Sequence, residues 1–184
     1  MKKTILIACV SVFIISCNTK TDTTGNTVKD SSITPTEEKI DYAYLPANHI
    51  PDNWDRGDQK NVAIVLKSLK GYEMGNVDEA LAAFADSVQW TTDGFDEKLS
   101  KDSLRKSFID GWAKISSTKI VMEDYESVVS KDKKNNWVSL WYKQITTDKK
   151  GKTDSVFYMD DLKLENGKIV ILDEKQRRYP SSKK

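Results

Sequence analysis

The chain has 184 residues, of which 38% are hydrophobic and 31% charged, enough apolar material for one domain with some extra chain. Lys and Arg number 29 against 28 Asp and Glu, a net charge of +1. That balance excludes a collagen-like, multi-spanning or wholly disordered protein and gives no basic excess for gripping nucleic acid.

The first twenty residues bear on the compartment. Lys2 and Lys3 make a short positive start, and residues 4–16 carry no charge. This run is too short to span a bilayer but has the character of a secretory signal core. It ends in Ile14-Ile15-Ser16-Cys17, which resembles the lipobox of bacterial lipoproteins. The resemblance implies cleavage of residues 1–16 and a diacylglycerol on Cys17, a durable anchor because each buried methylene contributes about 0.8 kcal/mol. An ordinary signal peptide cut near Ser16, or an uncleaved anchor, is the alternative. Cys9 would leave with the signal, so the processed chain keeps no free thiol for a disulfide, for catalysis or for a zinc ligand. Loss of Lys2 and Lys3 leaves 27 basic and 28 acidic residues, a net charge of −1. Asn18 after the lipid cysteine suits an outer-membrane lipoprotein facing the periplasm.

Residues 17–39 are Thr, Asp, Ser, Lys, Asn and Gly with almost nothing bulky, and they read as a disordered tether. Residues 40–55 interleave Tyr42, Tyr44, Leu45, Ile50 and Trp54 with Pro46 and Pro51 and read as an irregular arm. The domain itself is expected over residues 56–180.

Within it, Val62, Val65, Leu66, Leu69 and Tyr72 fall at helical spacing between Gly57 and Gly75. Residues 78–85 make a second, short helix with Leu81 and Phe84 inward, and residues 88–90 a short strand. A polar loop around Gly94 follows. A third helix begins at Ser100, a good N-cap, with Leu99 and Leu104 placed as a hydrophobic staple. Its inner stripe is Leu104, Phe108, Trp112 and Ile115, and Gly111 within it suggests close packing. Residues 118–129, 137–147, 153–165 and 168–176 then read as strands, the last two joined by the hairpin signal Asn166-Gly167. Helices first and four antiparallel strands after them point to an α+β domain with helices on one face of a curved sheet.

That order, with the run from Asn76 through Ala80 and Leu81 to Val88-Gln89-Trp90 and the tail Asp160-Asp161-Leu162 leading to Asn166-Gly167-Lys168-Ile169, resembles the nuclear transport factor 2-like superfamily, including its SnoaL-like polyketide-cyclase branch. The resemblance implies a cone-shaped fold, three helices on a curved antiparallel sheet, a pocket in the cone's mouth, and a homodimer formed through the sheet. The fold hosts enzymes, binders and scaffolds alike.

Asp160 matches the aspartate that serves some related enzymes as a base. It can be a carboxylate in an apolar cup of Trp90, Phe108, Trp112 and Trp141, its proton held by desolvation. Read from its neighbours alone, the preferred assignment is an exposed strand residue paired with Lys143 or Lys163. Asp160 and Asp161 point to opposite faces and cannot act together. His49, the sole histidine, stands before the domain, so a His–Asp site or a histidine-rich metal site has no material within it. The arginines, Arg56, Arg105, Arg177 and Arg178, lack the placement for an epoxide-hydrolase-like bridge between two aspartates. The leading expectation is therefore a lipid-anchored envelope protein without catalytic activity, metal or cofactor, whose aromatic cone binds a small apolar ligand or a protein partner. A SnoaL-like isomerase, cyclase or hydrolase using Asp160 and a structural homodimer are the alternatives.

Overall fold

The computed structural model describes residues 40–46 and 53–178, so Cys17, His49 and most of residues 1–52 lie outside the described residues. The elements are β1 (Trp54–Arg56), α1 (Gln59–Glu73), α2 (Val77–Ala82), β2 (Phe84–Thr92), β3 (Phe95–Ser100), α3 (Lys101–Trp112), β4 (Ile115–Ser130), β5 (Asn136–Asp148), β6 (Thr153–Glu165) and β7 (Lys168–Arg178). Seven strands form one curved sheet in the order β1-β4-β5-β6-β7-β2-β3. All neighbours are antiparallel except β2 and β7, which run parallel.

Each helix starts where the chain supplies an acceptor for its first free amides. Asp58 accepts from the Lys60 amide at 2.8 Å, Asn76 from Glu79 at 3.1 Å and Ser100 from Ser103 at 3.1 Å. Val62 and Val65 bury one face of α1, and Leu81 and Leu104 are fully buried on α2 and α3. They meet Val138, Leu140, Tyr142, Leu162, Leu164, Ile169 and Leu172 from the sheet in one core. Gly71 lets α1 approach α2: a Cβ there would stand 2.5 Å from the Ala80 amide nitrogen. The Ser68 hydroxyl, on the same face of α1, donates to the Ala80 carbonyl.

Several local expectations change. The sequence from Phe84 to Ser100 is a hairpin, β2–β3, in place of a short strand and a polar loop, with Gly94 at φ +75° in its turn. Phe84 opens β2 rather than closing α2, and Ile115 opens β4 rather than ending α3. Trp54 and Asp55 of the irregular arm, with Arg56 after them, pair with Ser130, Val129 and Val128 as the edge strand β1. Gly111 is not closely packed, since a Cβ there would meet nothing within 4 Å. The Asn166-Gly167 hairpin forms with both residues at positive φ, 50° and 72°, as the tight turn between right-twisted strands demands.

Candidate functional site

The inner face of the curved sheet and helices α1 and α3 line a cavity of about 250 Å³. Helix α1 lines it with Val65, Ser68, Leu69 and Tyr72, and α3 with Ser107, Phe108 and Gly111. The sheet adds Phe84, Trp90, Leu140, Tyr142, Gln144, Tyr158, Asp160, Leu162, Leu172 and Glu174. Tyr72 and Trp90 both meet Phe108 edge to face, at 5.4 and 6.5 Å between ring centres. Tyr142 and Tyr158 stack at 5.4 Å across β5 and β6. Aromatic and aliphatic side chains together make up most of the wall, and among the described residues no lysine, arginine or histidine belongs to it.

Asp160 sits at its base, 5% exposed, against the exposed, lysine-paired residue expected from its neighbours. Strand alternation explains the difference. Asp160 shares the inner face with Tyr158 and Leu162, and β5 sets Leu140 opposite it. Lys163 pairs instead with Glu165, at 3.0 Å. Asp161 turns outward, where the Ser139 hydroxyl donates to it and Lys175 reaches it at 2.9 Å. Tyr142 donates its hydroxyl proton to Asp160 Oδ2 at 2.7 Å, while Oδ1 is buried with no hydrogen-bond partner.

Glu174, which sequence reading passed over, lies directly opposite Asp160 in the β6–β7 ladder. Opposed side chains in such a pair have Cβ atoms about 5 Å apart. Burial, then repulsion from Glu174, pushes the Asp160 carboxyl far above the usual carboxylate range. Burial raises Glu174 to about 7, against the 3.4 Å hydrogen bond it accepts from Thr92. Burial, followed by the Asp160 and Glu174 charges, also raises the Tyr142 phenol, and Tyr158 and Tyr72 move the same way. Burial thus pushes both carboxyl groups toward their protonated forms, and each charge raises the cost of ionising its neighbour. The sequence did carry a trace of this: Leu172, Glu174 and Gln176 recur every second residue on one strand, with Leu172 in the core.

Of the four aromatic residues expected around Asp160, Trp90 and Phe108 line the cavity. Trp112 stands behind it, its indole N–H donating to the Tyr72 carbonyl at 2.9 Å. Trp141 is on the opposite face of the sheet, paired with Met159 on β6. There it borders an open depression of about 1050 Å³ together with Trp54, Tyr125 and Phe157. This larger hollow includes no buried, unpaired carboxyl group, whereas the smaller cavity does. Among the described residues no group of His, Cys, Asp or Glu is arranged to hold a metal ion, and no helix is long and apolar enough to cross a membrane.

No family model matches the chain, and no curated protein matches it in sequence. Solved structures do match it in fold. A nuclear transport factor 2-like protein of unknown function from Burkholderia pseudomallei superposes with a TM-score of 0.51 at 16% identity, over 65% of this chain and 90% of that one. A putative polyketide cyclase from Xanthomonas campestris gives 0.50 at 13% identity, over 64% and 90%. An epoxide hydrolase from M. tuberculosis gives 0.53 at 10% identity, over 65% and 84%. The chain therefore has the nuclear transport factor 2-like fold, the α+β cone expected from its element order, and at these identities the likeness defines the fold alone.

Proposed function

We propose that this domain is a proton-transfer enzyme of the isomerase or cyclase type, acting on a small molecule held in the aromatic cavity. Asp160 and Glu174 would be its acid–base pair, and Tyr142 a positioning residue that holds Asp160 through Oδ2. The observation that carries the reading is the buried Asp160 carboxyl with one oxygen unpartnered, directly opposite the second carboxyl of the cavity, Glu174, whose burial raises it to about 7. A general acid or base works best with its pKa near the working pH, and such tuning by burial is frequent where proton transfer occurs. The cyclase and epoxide hydrolase with this fold are consistent with that chemistry. An arginine-bridged pair of aspartates is not the arrangement here, because no arginine lines the cavity.

The test is exchange of carbon-bound protons. The full chain is incubated in deuterium oxide with a panel of small aryl ketones, both neutral and ammonium-bearing, and loss of the α-proton signal is followed by NMR. Catalysed exchange is expected for at least one member, with Asp160→Asn slowing it by about 10²-fold or more. Wild-type exchange no faster than buffer across the panel would sink the reading.

Binding without turnover is the second reading. It is favoured by the near absence of accessible surface at Asp160 Oδ1, which a ligand touches only after a local shift. It predicts that Asp160→Asn keeps ligand affinity. In either case the proposed setting is the envelope, with Cys17 carrying the lipid. Incorporation of labelled palmitate, lost in Cys17→Ser, tests that anchor.

A further inference from the structure

Among the described residues the cavity contains two carboxyl side chains and no basic one, inside a wall that is mostly apolar and rich in aromatic rings. Lys175, which lies nearest in sequence to the pair, is on the other face and is held by Asp161 at 2.9 Å and Asp173 at 2.8 Å. The site therefore holds two acids among aromatic rings, with an unpartnered Asp160 oxygen just beneath its surface and, among the described residues, no cation from its own wall to complete them. A ligand that brings the positive charge completes it. An anion would be repelled, and a neutral molecule would leave both carboxyl groups poorly matched.

Building on the proton-transfer reading of this same site, we propose that its substrates are small organic cations, an ammonium group on a compact apolar or aromatic body. The ammonium would lodge between Asp160 and Glu174, with Tyr72, Trp90 and Phe108 around the body. One carboxylate would hold the charge, and the other would break a C–H bond of the body by taking its proton and return that proton to another carbon of the same molecule. The cavity volume of about 250 Å³ limits the molecule to on the order of ten non-hydrogen atoms, taking about 30 Å³ for each water-sized unit.

Binding of such a cation displaces protons from the pair, so affinity rises with pH. The other titratable groups facing the pair are Tyr72 from α1, Tyr142 from β5 and Tyr158 from β6, all of which burial keeps protonated. Asp93, in the β2–β3 turn, adds repulsion to Glu174, while Asp161 and Lys175 act on Asp160 from the outer face with opposite signs. Arg178 acts on Tyr158 from the end of β7. Helix α3 contributes Ser107, Phe108 and Gly111 to the wall, none of them titratable, and β2 contributes Phe84 and Trp90.

The experiment is calorimetric titration of the full chain with benzyltrimethylammonium, benzyl alcohol and benzoate. The cation is expected to bind about tenfold or more tighter than the alcohol, and benzoate not to saturate. Affinity for the cation should rise about threefold or more between about pH 6 and about pH 8 and fall about tenfold in Glu174→Gln. Equal or tighter binding of the alcohol or benzoate, or no saturable binding of the cation, overturns the inference. So does affinity independent of pH in the wild-type chain, a criterion that holds even if Glu174→Gln fails to fold. Proton exchange from neutral ketones without cation binding would remove this ligand class and leave the proton-transfer reading. Cation binding that depends on Glu174, with no exchange in any compound, would keep the ligand class and remove the catalysis.

Discussion

Asp160 on β6 and Glu174 on β7 are direct cross-strand partners on the buried face of the sheet, and a bulge puts them there. The β6–β7 hairpin begins with Glu165 opposite Lys168 and Leu164 opposite Ile169. Continued without interruption, that ladder would set Asp160 opposite Asp173. The register shifts by one residue after Leu164, so that Lys163 pairs with Ile171 and Val170 is the extra residue. A one-residue shift exchanges the two faces of a strand. Glu174 is thereby turned into the cavity, and Asp173 out to Lys175.

The burial of Glu174 makes stability depend on pH in a definite direction. Its carboxyl is raised in the folded state to about 7 from 4.5, so folding favours the protonated form. This contribution is complete below about pH 4.5 and is lost as pH rises through about 7, an effect of roughly 3 kcal/mol. Glu174→Gln is expected to remove that slope. Chemical denaturation of both proteins across this range checks it, and parallel curves would refute it.

Tyr142→Phe removes the 2.7 Å hydrogen bond to Asp160 Oδ2 and leaves both carboxyl oxygens unpartnered. The expected loss is about 1–3 kcal/mol, because a buried acceptor without a donor bears its full desolvation penalty. In the Asp160→Leu background, where no carboxyl remains, the same substitution should cost distinctly less. The double-mutant cycle measures that coupling, and additive effects would count against it.

Two glycines on helices should respond to alanine with opposite signs. At Gly71 the new Cβ would stand 2.5 Å from the Ala80 nitrogen, a backbone atom that cannot move aside cheaply. Gly71→Ala is expected to cost about 1–3 kcal/mol by overpacking. At Gly111 the Cβ meets nothing within 4 Å, so Gly111→Ala should stabilise by up to about 1 kcal/mol through helix propensity. Thermal denaturation of the pair separates the two cases.

Trp141 and Trp90 lie on opposite faces of the sheet, which separates stability from ligand binding. Trp141→Ala should leave benzyltrimethylammonium affinity within about twofold, whereas Trp90→Ala should reduce it by about fivefold or more. Titration calorimetry on each folded variant decides this. A large loss from Trp141→Ala alone would place the ligand on the outer face instead.

The sequence by itself determined what depends on a few neighbouring residues. Ser100 as an N-cap, the α1 stripe through Val62 and Val65, and the Asn166-Gly167 turn all follow from local geometry and hydrogen bonding, and the structure has each. Their succession was enough to indicate an α+β domain with helices on one face of a curved sheet, and the cone shape came only with the family resemblance. The same rules found the strand at residues 88–90 but put Phe84 in a helix and residues 91–98 in a loop, because Phe95 to Leu99 become a strand only by pairing with β2.

What only the tertiary structure decided is which side of the sheet is inside. Strands β5 and β6 carry large apolar groups on both faces, Trp141 and Phe157 on one, Tyr142 and Tyr158 on the other, so alternation separates the faces without ranking them. The helices rank them by covering the face of Leu140, Asp160 and Leu162. That contact, with the bulge at Val170, buries Asp160 and brings Glu174 to it. Burial and register are sums over distant segments, and the proton chemistry of the pair follows from both.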